Sequence, residues 1–397
     1  MKHTAAADIA IFGGGIAGLW VLNRLRQSGL SAILFESSTL GGGQTHKSQG
    51  IIHGGMKYAL QGLLTKEVNT LGNMPMRWKA CLNGTGEIDL SHVPILSPQH
   101  YLWSPNTVTA KLAGFFASAA LNSKVSAVSK EHYPSIFRHA AFKGEVYVLD
   151  ELVIDVPILI RELVKASQDA VFKIEPLCHK ELQFNEHGQC ISATVYMAGK
   201  SVKISAQHYI FTAGTGNEIA TKIHGHQTIA MQRRPLHMVV VKMPCLYPLY
   251  AHCLGLGPRP RITITTHYTQ DGHSVWYLGG QLAEDGIYRN EEEQTKAARQ
   301  ELHCLFPWLD LSNAVFSSFI VDRAEPYQKS GLKPETAYTK IINNMIVAWP
   351  TKLALAPMLA EDILQHLQTS HVSPQLFDIR ELRSWPMPPL AKPVWED

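Results

Sequence analysis

A glycine pattern near the start of the chain, Gly13-x-Gly15-x-x-Gly18, constrains the fold more than any other feature. The run before it, residues 8–12, is short and apolar, as in a buried parallel strand, and residues 16–27 repeat apolar side chains at helical spacing. In such a strand–turn–helix unit the first glycine makes the turn, the second lets a diphosphate approach the backbone, and the third lets the helix pack closely. The pattern therefore predicts a nucleotide-binding βαβ unit.

A carboxylate stands where this unit needs one. Residues 32–35 form a second apolar run that leads into Glu36, which follows Gly18 by 18 positions. A carboxylate at this strand end accepts hydrogen bonds from ribose hydroxyls, and the positive end of the preceding helix favours the diphosphate. We therefore predict dinucleotide binding, with FAD and NAD both open at this point.

Composition excludes several other classes. With 397 residues, of which 45% are hydrophobic, the chain can bury a large core and exceeds the usual size of one domain. The net charge is +3 and no basic run exceeds Arg233-Arg234, so we expect no DNA partner and do not favour RNA. Six scattered cysteines without a CxxC pair argue against a disulfide scaffold or a metal site and fit a cytoplasmic protein. No apolar stretch approaches the roughly 18 residues of a membrane-spanning helix, which leaves peripheral membrane association open.

The loop that follows Glu36 distinguishes FAD from NAD. Its marked residues are Thr45, Ser48, Gly50, the stretch Ile52-His53-Gly54-Gly55, and Tyr58. This loop resembles the segment that passes under the flavin in the superfamily of D-amino-acid oxidase and glycerol-3-phosphate dehydrogenase. The Ile-His-Gly-Gly stretch is similar to the glycerol-3-phosphate dehydrogenase branch. The resemblance implies that the cofactor is FAD.

Two later segments agree with the resemblance, which extends from Asp8 to about Leu367. Residues 209–216, Tyr-Ile-Phe-Thr-Ala-Gly-Thr-Gly, look like the strand that ends in an Ala-Gly beside FAD. Residues 344–357 look like the closing strand and helix whose N-terminus faces the flavin. The family usually has a glycine-rich turn before that helix, whereas this chain has Trp349-Pro-Thr-Lys352.

The resemblance implies an α/β chain (α+β overall), with a Rossmann-like parallel FAD-binding sheet and an interleaved, mostly antiparallel substrate domain. We expect residues 1–80 and 151–230 to form the first two parts of the FAD-binding domain, and residues 326–397 its closing strand, helix and tail. Residues 81–150 are expected to form the first part of the substrate or cap domain, and residues 231–325 its sheet.

The same motifs imply a set of FAD contacts. These are Gly13, Gly15, Ile16, Ala17, Gly18, Glu36, Thr45, His46, Ser48, Gly50, Ala213, Gly214, Thr351, Lys352 and Leu353. His46 is also a candidate covalent anchor, since some relatives attach FAD through a histidine near this loop. Thr351, Lys352 and the backbone amides after them would stabilise negative charge on the flavin pyrimidine edge. An ordinary lysine in a first helical turn is the alternative.

Three residues are catalytic candidates: His53, Arg323 and Lys352. His53 lies either at the flavin or substrate face, or in the core as a neutral histidine bonded to backbone. Arg323 belongs to the run Asp-Arg-Ala-Glu-Pro, which is similar to a family segment where an arginine before a proline clamps an acidic substrate. Here the proline follows the arginine by three residues.

Four further residues are candidate substrate contacts in the predicted second sheet. The pair Arg233-Arg234 suits a carboxylate or phosphate, since a guanidinium binds both in a bidentate fork, but a solvated pair at a sheet edge is an equal alternative. His252 and Tyr277 lie on predicted strands of the same sheet and could accept a proton from a substrate. Residues of these types on a sheet are more often structural than catalytic.

The predicted reaction is hydride transfer from a CH–OH or CH–NH group of a small acidic substrate to flavin N5, with oxygen or a quinone-type compound as the electron acceptor. Two other classes stay open at this stage. One is an NAD-dependent dehydrogenase, which would share the glycine pattern without the later motifs. The other is a flavoprotein that acts in RNA modification.

Overall fold

The computed structural model describes residues 3–54, 72–105, 125–221, 229–244, 246–255, 259–329, 334, 336–370, 372 and 377–396. Apolar spacing predicts a helix at residues 106–121 and another at 56–81. The first of these segments and most of the second lie outside the described ranges, as do the motif residues Gly55 and Tyr58. Among the described residues, no helix is both long enough and apolar enough to cross a membrane.

The described strands, in chain order, are β1 Thr4–Phe12, β2 Ala32–Glu36, β3 Ile51–Ile52, β4 Ile95–Ser97, β5 His100–Ser104, β6 Val125–Ala127, β7 Glu145–Leu149, β8 Leu152–Ile154, β9 Val171–Lys173, β10 Leu182–Phe184, β11 Cys190–Met197, β12 Lys200–Phe211, β13 Met231–Lys242, β14 Ala251–Leu254, β15 Pro260–Tyr268, β16 Ser274–Gly279, β17 Val315–Pro326, β18 Tyr338–Ile342 and β19 Met345–Trp349. The described α-helices are α1 Ile16–Gln27, α2 Met74–Leu82, α3 Val156–Lys165, α4 Glu218–Thr221, α5 Gln281–Asp285, α6 Glu291–Leu305 and α7 Ala356–Thr369.

The first sheet contains the predicted nucleotide-binding unit. Its central strands β19, β12, β1, β2 and β9 are parallel neighbours in that order, and β11 and β10 extend the sheet antiparallel from the first half of β12. The strands at the centre are apolar on both faces: Ala10 and Ile33 on one face, and Ile11 and Leu34 on the other, are fully buried. This arrangement confirms the predicted parallel FAD-type sheet.

The second sheet is mostly antiparallel, with strand order β17-β13-β16-β15-β14-β5-β7-β6. One face packs against α6 through an apolar cluster that includes Val239, Trp276 and Leu302. A third, small sheet has the strand order β3-β8-β4. The α/β prediction with an interleaved antiparallel part is therefore confirmed, while the individual domain boundaries remain a prediction.

Two local predictions were wrong. The apolar run at residues 147–155 predicts one strand, but β7 pairs in the second sheet and β8 pairs with β3, so the chain changes sheets at Asp150-Glu151. The runs at residues 201–204 and 208–213 predict two separate strands, but β12 runs through 200–211 without a break. The first half of β12 pairs with β11 and the second half with β19. The two halves therefore lie in different surroundings, and their sequence patterns differ.

Candidate active site

The glycine turn is shaped by steric contact with a second strand end. Gly13 has φ +116°, and a Cβ there would lie 2.6 Å from the Cα of Ala213. A Cβ on Gly18 would lie 1.9 Å from the carbonyl oxygen of Gly13, so α1 packs directly on the turn. At Gly15, the N-cap of α1, a Cβ would meet one atom of the described residues within 4 Å, the Thr45 hydroxyl at 3.2 Å. The second glycine therefore keeps space open in front of the helix, whereas the other two are needed for the fold itself.

Glu36 lies at the end of β2, facing this turn. Its carboxylate accepts hydrogen bonds from the backbone N–H groups of Gly14 and Ser38, both at 2.6 Å. These bonds fix its orientation and leave each oxygen a further lone pair for a ribose hydroxyl. The structure thus brings the predicted carboxylate and the glycine turn together.

Two distant segments close around the same turn. The hydroxyl of Thr212 donates to the carbonyl of Gly13 (3.2 Å), which holds Ala213 and Gly214 beside the first glycine. The indole N–H of Trp349, at the end of β19, donates to the carbonyl of Gly214 (3.2 Å). The predicted Ala-Gly segment and the closing strand therefore meet at the glycine turn.

The segment after β19 makes its turn without glycine. Thr351 has φ +59°, the left-handed conformation that glycine usually supplies, and its hydroxyl donates to the carbonyl of Thr336 (2.9 Å). Lys352 is buried, and a short 3-10 turn, Leu353–Leu355, leads into α7. The departure from the glycine-rich family turn is thus compatible with the same chain path, since threonine adopts the glycine-like conformation.

The loop between Glu36 and β3 bridges the two large sheets. Gln49 donates to the carbonyl of Tyr277 (2.8 Å), and the Tyr277 hydroxyl donates to the carbonyl of Lys47 (2.8 Å). Gln44 reaches the carbonyl of Ala324 on β17 at 3.4 Å. Tyr277, a candidate substrate contact, therefore uses its hydroxyl to hold this loop against the second sheet.

A histidine–glutamate cluster stands where the loop ends. Nδ1 of His53 lies 3.2 Å from Oε2 of Glu151, whose Oε1 accepts the N–H of Gly54 at 2.9 Å. The His53 ring stacks at 6.1 Å on His252, which in turn contacts His100 at 4.2 Å. One ligand-type atom each from His53, Glu151 and His252 lies within 4.8 Å of the others. Residues from three different segments therefore form one polar cluster, which their sequence spacing did not reveal.

Charge in this cluster rests on Glu151. Burial by itself raises the pKa of this carboxyl group, but the groups around it, His53 first among them, together outweigh burial, and the pKa lies below its usual range. Burial lowers the pKa of His100 to about 3, so this imidazole is neutral at physiological pH. A buried carboxylate thus faces His53 with neutral groups behind it.

Comparison with known proteins decides the family. The model of the family described as "FAD dependent oxidoreductase" matches residues 8–337, which is most of the chain and includes the glycine turn, Glu36 and the Ala213-Gly214 segment. The chain belongs to this family of FAD-dependent oxidoreductases. FAD is therefore its cofactor, and the NAD-dependent dehydrogenase that the glycine pattern alone left open is ruled out.

Individual relatives agree with this assignment. A probable FAD-dependent oxidoreductase of Pseudomonas aeruginosa is 48% identical over 401 residues, covering 100% of this chain and 99% of that protein. Its crystal structure superposes with a TM-score of 0.84. An alpha-glycerophosphate oxidase of Streptococcus pneumoniae is 24% identical over 82% of this chain and 54% of its own length. The iminodiacetate oxidase of Chelativorans sp., at 13% identity, shares the fold with a TM-score of 0.65 over 96% of this chain and 100% of its own.

The residues of this oxidoreductase fit an FAD diphosphate and ribose at the glycine turn. Any side chain at Gly15 would extend into the space in front of α1. The N–H of Ile16, the first residue of α1, donates to the Thr45 hydroxyl (3.1 Å) beside this space. The Ser48 hydroxyl and both ring nitrogens of His46 are buried without hydrogen-bond partners among the described residues. These groups could therefore form hydrogen bonds with a bound cofactor. Burial lowers the pKa of His46 to about 4 and keeps it neutral.

The three arginine candidates of the oxidoreductase do not share one site. Arg234 and Arg323 are direct partners across β13 and β17 and therefore lie on one sheet face, as do Val240 and its partner Tyr277. Arg233 points to the other side and pairs at the surface with Glu218 (2.8 Å). The period-2 alternation of a strand thus separates the two neighbouring arginines.

Three residues around the site escaped the sequence analysis: Gln49, His100 and Glu151. Gln49 lies within the predicted loop, but its partners come from β15 and β16, which only the fold brings close. Glu151 had one usable signal, a carboxylate directly before the apolar run Leu152–Ile154. A charged residue at the start of a buried strand indicates a specific partner.

Proposed function

We propose that this FAD-dependent oxidoreductase oxidises a CH–OH or CH–NH group of a small acidic compound, with oxygen or a quinone-type compound as the electron acceptor. The observation that carries the proposal is the position of His53. Its side chain is 28% exposed, at the end of the loop that bridges the glycine turn and the second sheet, and a buried carboxylate holds it. Bound FAD supplies the hydride acceptor, N5 of the flavin.

Oxidation of such a group also requires a proton to leave oxygen or nitrogen. A histidine suits this task because its ordinary pKa lies near neutral pH, so it can accept a proton and release it again. His53 is exposed enough to meet a substrate, whereas His100 is fully buried and His252 is 6% exposed. We therefore assign His53 as the proton acceptor.

The acidic character of the substrate is inferred from the sheet face that the bridging loop covers. Arg234 donates to the buried carboxylate of Glu325 (2.8 Å), and Nε of Arg323 donates to the carbonyl of Arg234 (3.1 Å). Two guanidinium groups therefore lie side by side on this sheet face, and each carries a positive charge. Such a charge favours a carboxylate or phosphate, and Arg323 is our candidate for the clamp.

The names of two relatives support both the group that we propose is oxidised and the negative charge of the substrate. Alpha-glycerophosphate carries a CH–OH group and a phosphate, and iminodiacetate carries a CH–NH group and carboxylates. Lys352, buried at the start of the turn before α7, is proposed to lie at the flavin pyrimidine edge. No observation on the described residues favours a role in RNA modification.

Anaerobic bleaching of the flavin absorbance tests the proposal. The purified oxidoreductase would be mixed with 2-hydroxy acids, amino and imino acids, and phosphorylated alcohols, each alongside a neutral ester or amide of the same skeleton. We expect at least one anionic compound to bleach the flavin and its neutral counterpart to react at least about tenfold more slowly, the loss of one charged contact. Equal bleaching by neutral and anionic compounds, or none by any compound, would overturn the proposal.

A further inference from the structure

Glu151 is a buried carboxylate next to a candidate proton acceptor. It is 2% exposed, and it follows Asp150 at the point where the chain passes from the second sheet to the small sheet. The neighbouring Asp150 instead points to the surface, where it pairs with Lys79. Burial of a carboxylate costs free energy unless the group is paired, so the partners of Glu151 must compensate for its burial.

The two carboxylate oxygens have separate tasks. Oε1 accepts the backbone N–H of Gly54 (2.9 Å), a group that can donate and never accept. Oε2 faces Nδ1 of His53 at 3.2 Å. An ionised carboxylate can accept and never donate, so the proton of a neutral His53 must lie on Nδ1. Nε2 then carries the lone pair.

The other groups packed around His53 do not compete for this role. His252 uses its Nδ1 with the hydroxyl of Thr263 (2.8 Å), and His100 is neutral for the reason given above. Within the cluster described here, Glu151 supplies the carboxylate. Among the described residues, Glu151 is therefore the hydrogen-bond partner that decides where the His53 ring carries its proton.

We propose that Glu151 is a positioning residue that holds His53 with its proton on Nδ1, so that Nε2 is free to take the proton of the substrate. This inference rests on the proposed function in one respect, the role of His53 as proton acceptor. The placement of the proton itself does not depend on any substrate.

The substitution Glu151→Gln reverses the proton placement without changing the shape of the side chain. The N–H of Gly54 requires an acceptor, so the glutamine carbonyl oxygen takes that position and the amide NH₂ turns toward Nδ1 of His53. Nδ1 must then accept, and the His53 proton moves to Nε2. We expect anaerobic flavin reduction by the substrate to slow at least about 100-fold, the usual contribution of general base catalysis. The FAD content per chain should stay unchanged.

Two controls separate this role from a structural one. Asp150→Asn removes the adjacent surface carboxylate and should leave the reduction rate within about twofold of wild type. Glu151→Asp keeps the charge and should recover part of the rate that Glu151→Gln loses. A Glu151→Gln protein with full FAD and a wild-type reduction rate would overturn the inference.

A second measurement needs no substrate. Nitrogen-15 NMR of the histidine rings reports which nitrogen carries the proton, and His53→Gln identifies the His53 signals by their loss. We expect the Nδ1-protonated form in wild type and the Nε2-protonated form in Glu151→Gln. The same tautomer in both proteins would overturn the inference, and so would a stoichiometric Zn²⁺ ion retained through purification by His53, Glu151 and His252. If the tautomer changes but no compound bleaches wild-type flavin, the proposed function fails and the proton placement by Glu151 stands.

Discussion

The glycine turn and the histidine–glutamate cluster are assembled in opposite ways. In the turn, Gly14 bonds a carboxylate 22 positions away, and Gly18 packs against the carbonyl oxygen of Gly13. In the cluster, His53 and Glu151 are 98 positions apart and reach each other because β3 and β8 pair. The core of the turn therefore lies in one short stretch of sequence, with distant segments packed against it, whereas the cluster consists of distant residues and exists only once the sheets have formed. Substitutions in the two regions should therefore have different effects on stability, activity and FAD content.

The largest effect is expected where the turn supports the fold. Gly18→Ala would place a Cβ 1.9 Å from the carbonyl oxygen of Gly13, so α1 must move away from the turn. We expect the free energy of unfolding to fall by roughly 3 kcal/mol or more, measured by urea denaturation of the apoprotein. Gly43→Ala is the matched control, because a Cβ there meets no atom within 4 Å in the part of the chain that the structure describes. Equal stability of the two variants would mean that close packing of α1 is not what the third glycine provides.

The buried histidines of the second sheet should make the free energy of unfolding depend on pH. Burial lowers the pKa of His100 and His267 to about 3 from 6.5, so the unfolded chain binds protons first as the pH falls. The stabilisation from the neutral rings is complete above about pH 6.5 and is lost as the pH drops toward 3, by about 1.4 kcal/mol per pH unit for each histidine. His267→Gln should flatten the slope of unfolding free energy against pH by that amount between about pH 6 and 4. A variant of the exposed His187, His187→Gln, serves as control, and an unchanged slope in His267→Gln would contradict the assignment.

A substitution in the proposed substrate clamp should leave the turn untouched. Arg323→Lys removes the planar fork, and we expect kcat/KM for the anionic substrate to fall about tenfold, or 1.4 kcal/mol, with FAD still bound. Arg233→Lys, on the opposite face of β13, should retain wild-type kcat/KM. The reverse ranking of the two variants would move the clamp to the surface arginine.

The smallest effects are expected at two residues with positive φ. Ala198, at φ +50° in the β11–β12 hairpin, should gain up to about 1 kcal/mol of stability on replacement by glycine, since the left-handed conformation costs alanine energy. Thr351→Gly should gain less, because the hydroxyl bond to the carbonyl of Thr336 is lost together with the strain. Thermal unfolding of the two variants compares them directly. A larger gain at Thr351 would show that its strain is not offset by that bond.

How far the sequence predicts the molecule follows from the same contrast. The helix Ile16–Gln27 and the strand ending at Glu36 were predicted because their periodicity and their glycine boundaries are local. The strand at 147–155 was wrong because a two-residue crossing between sheets leaves no mark in an apolar pattern. Glu151 was missed for the related reason that its partners, His53 and Gly54, lie in another segment.

The occupancy of FAD in Gly15→Val tests the division between the two regions most directly. The space in front of Gly15 and α1 is open, and the Thr45 hydroxyl is the one close neighbour among the described residues. The Gly15→Val protein should therefore fold, with the valine side chain in the position of the diphosphate. We predict a protein with wild-type far-ultraviolet circular dichroism and a strongly reduced ratio of FAD to chain after gel filtration. Glu151→Gln, measured in parallel, should retain the wild-type ratio. Full FAD occupancy in folded Gly15→Val would contradict the account, because the glycine turn would then not be where the cofactor binds.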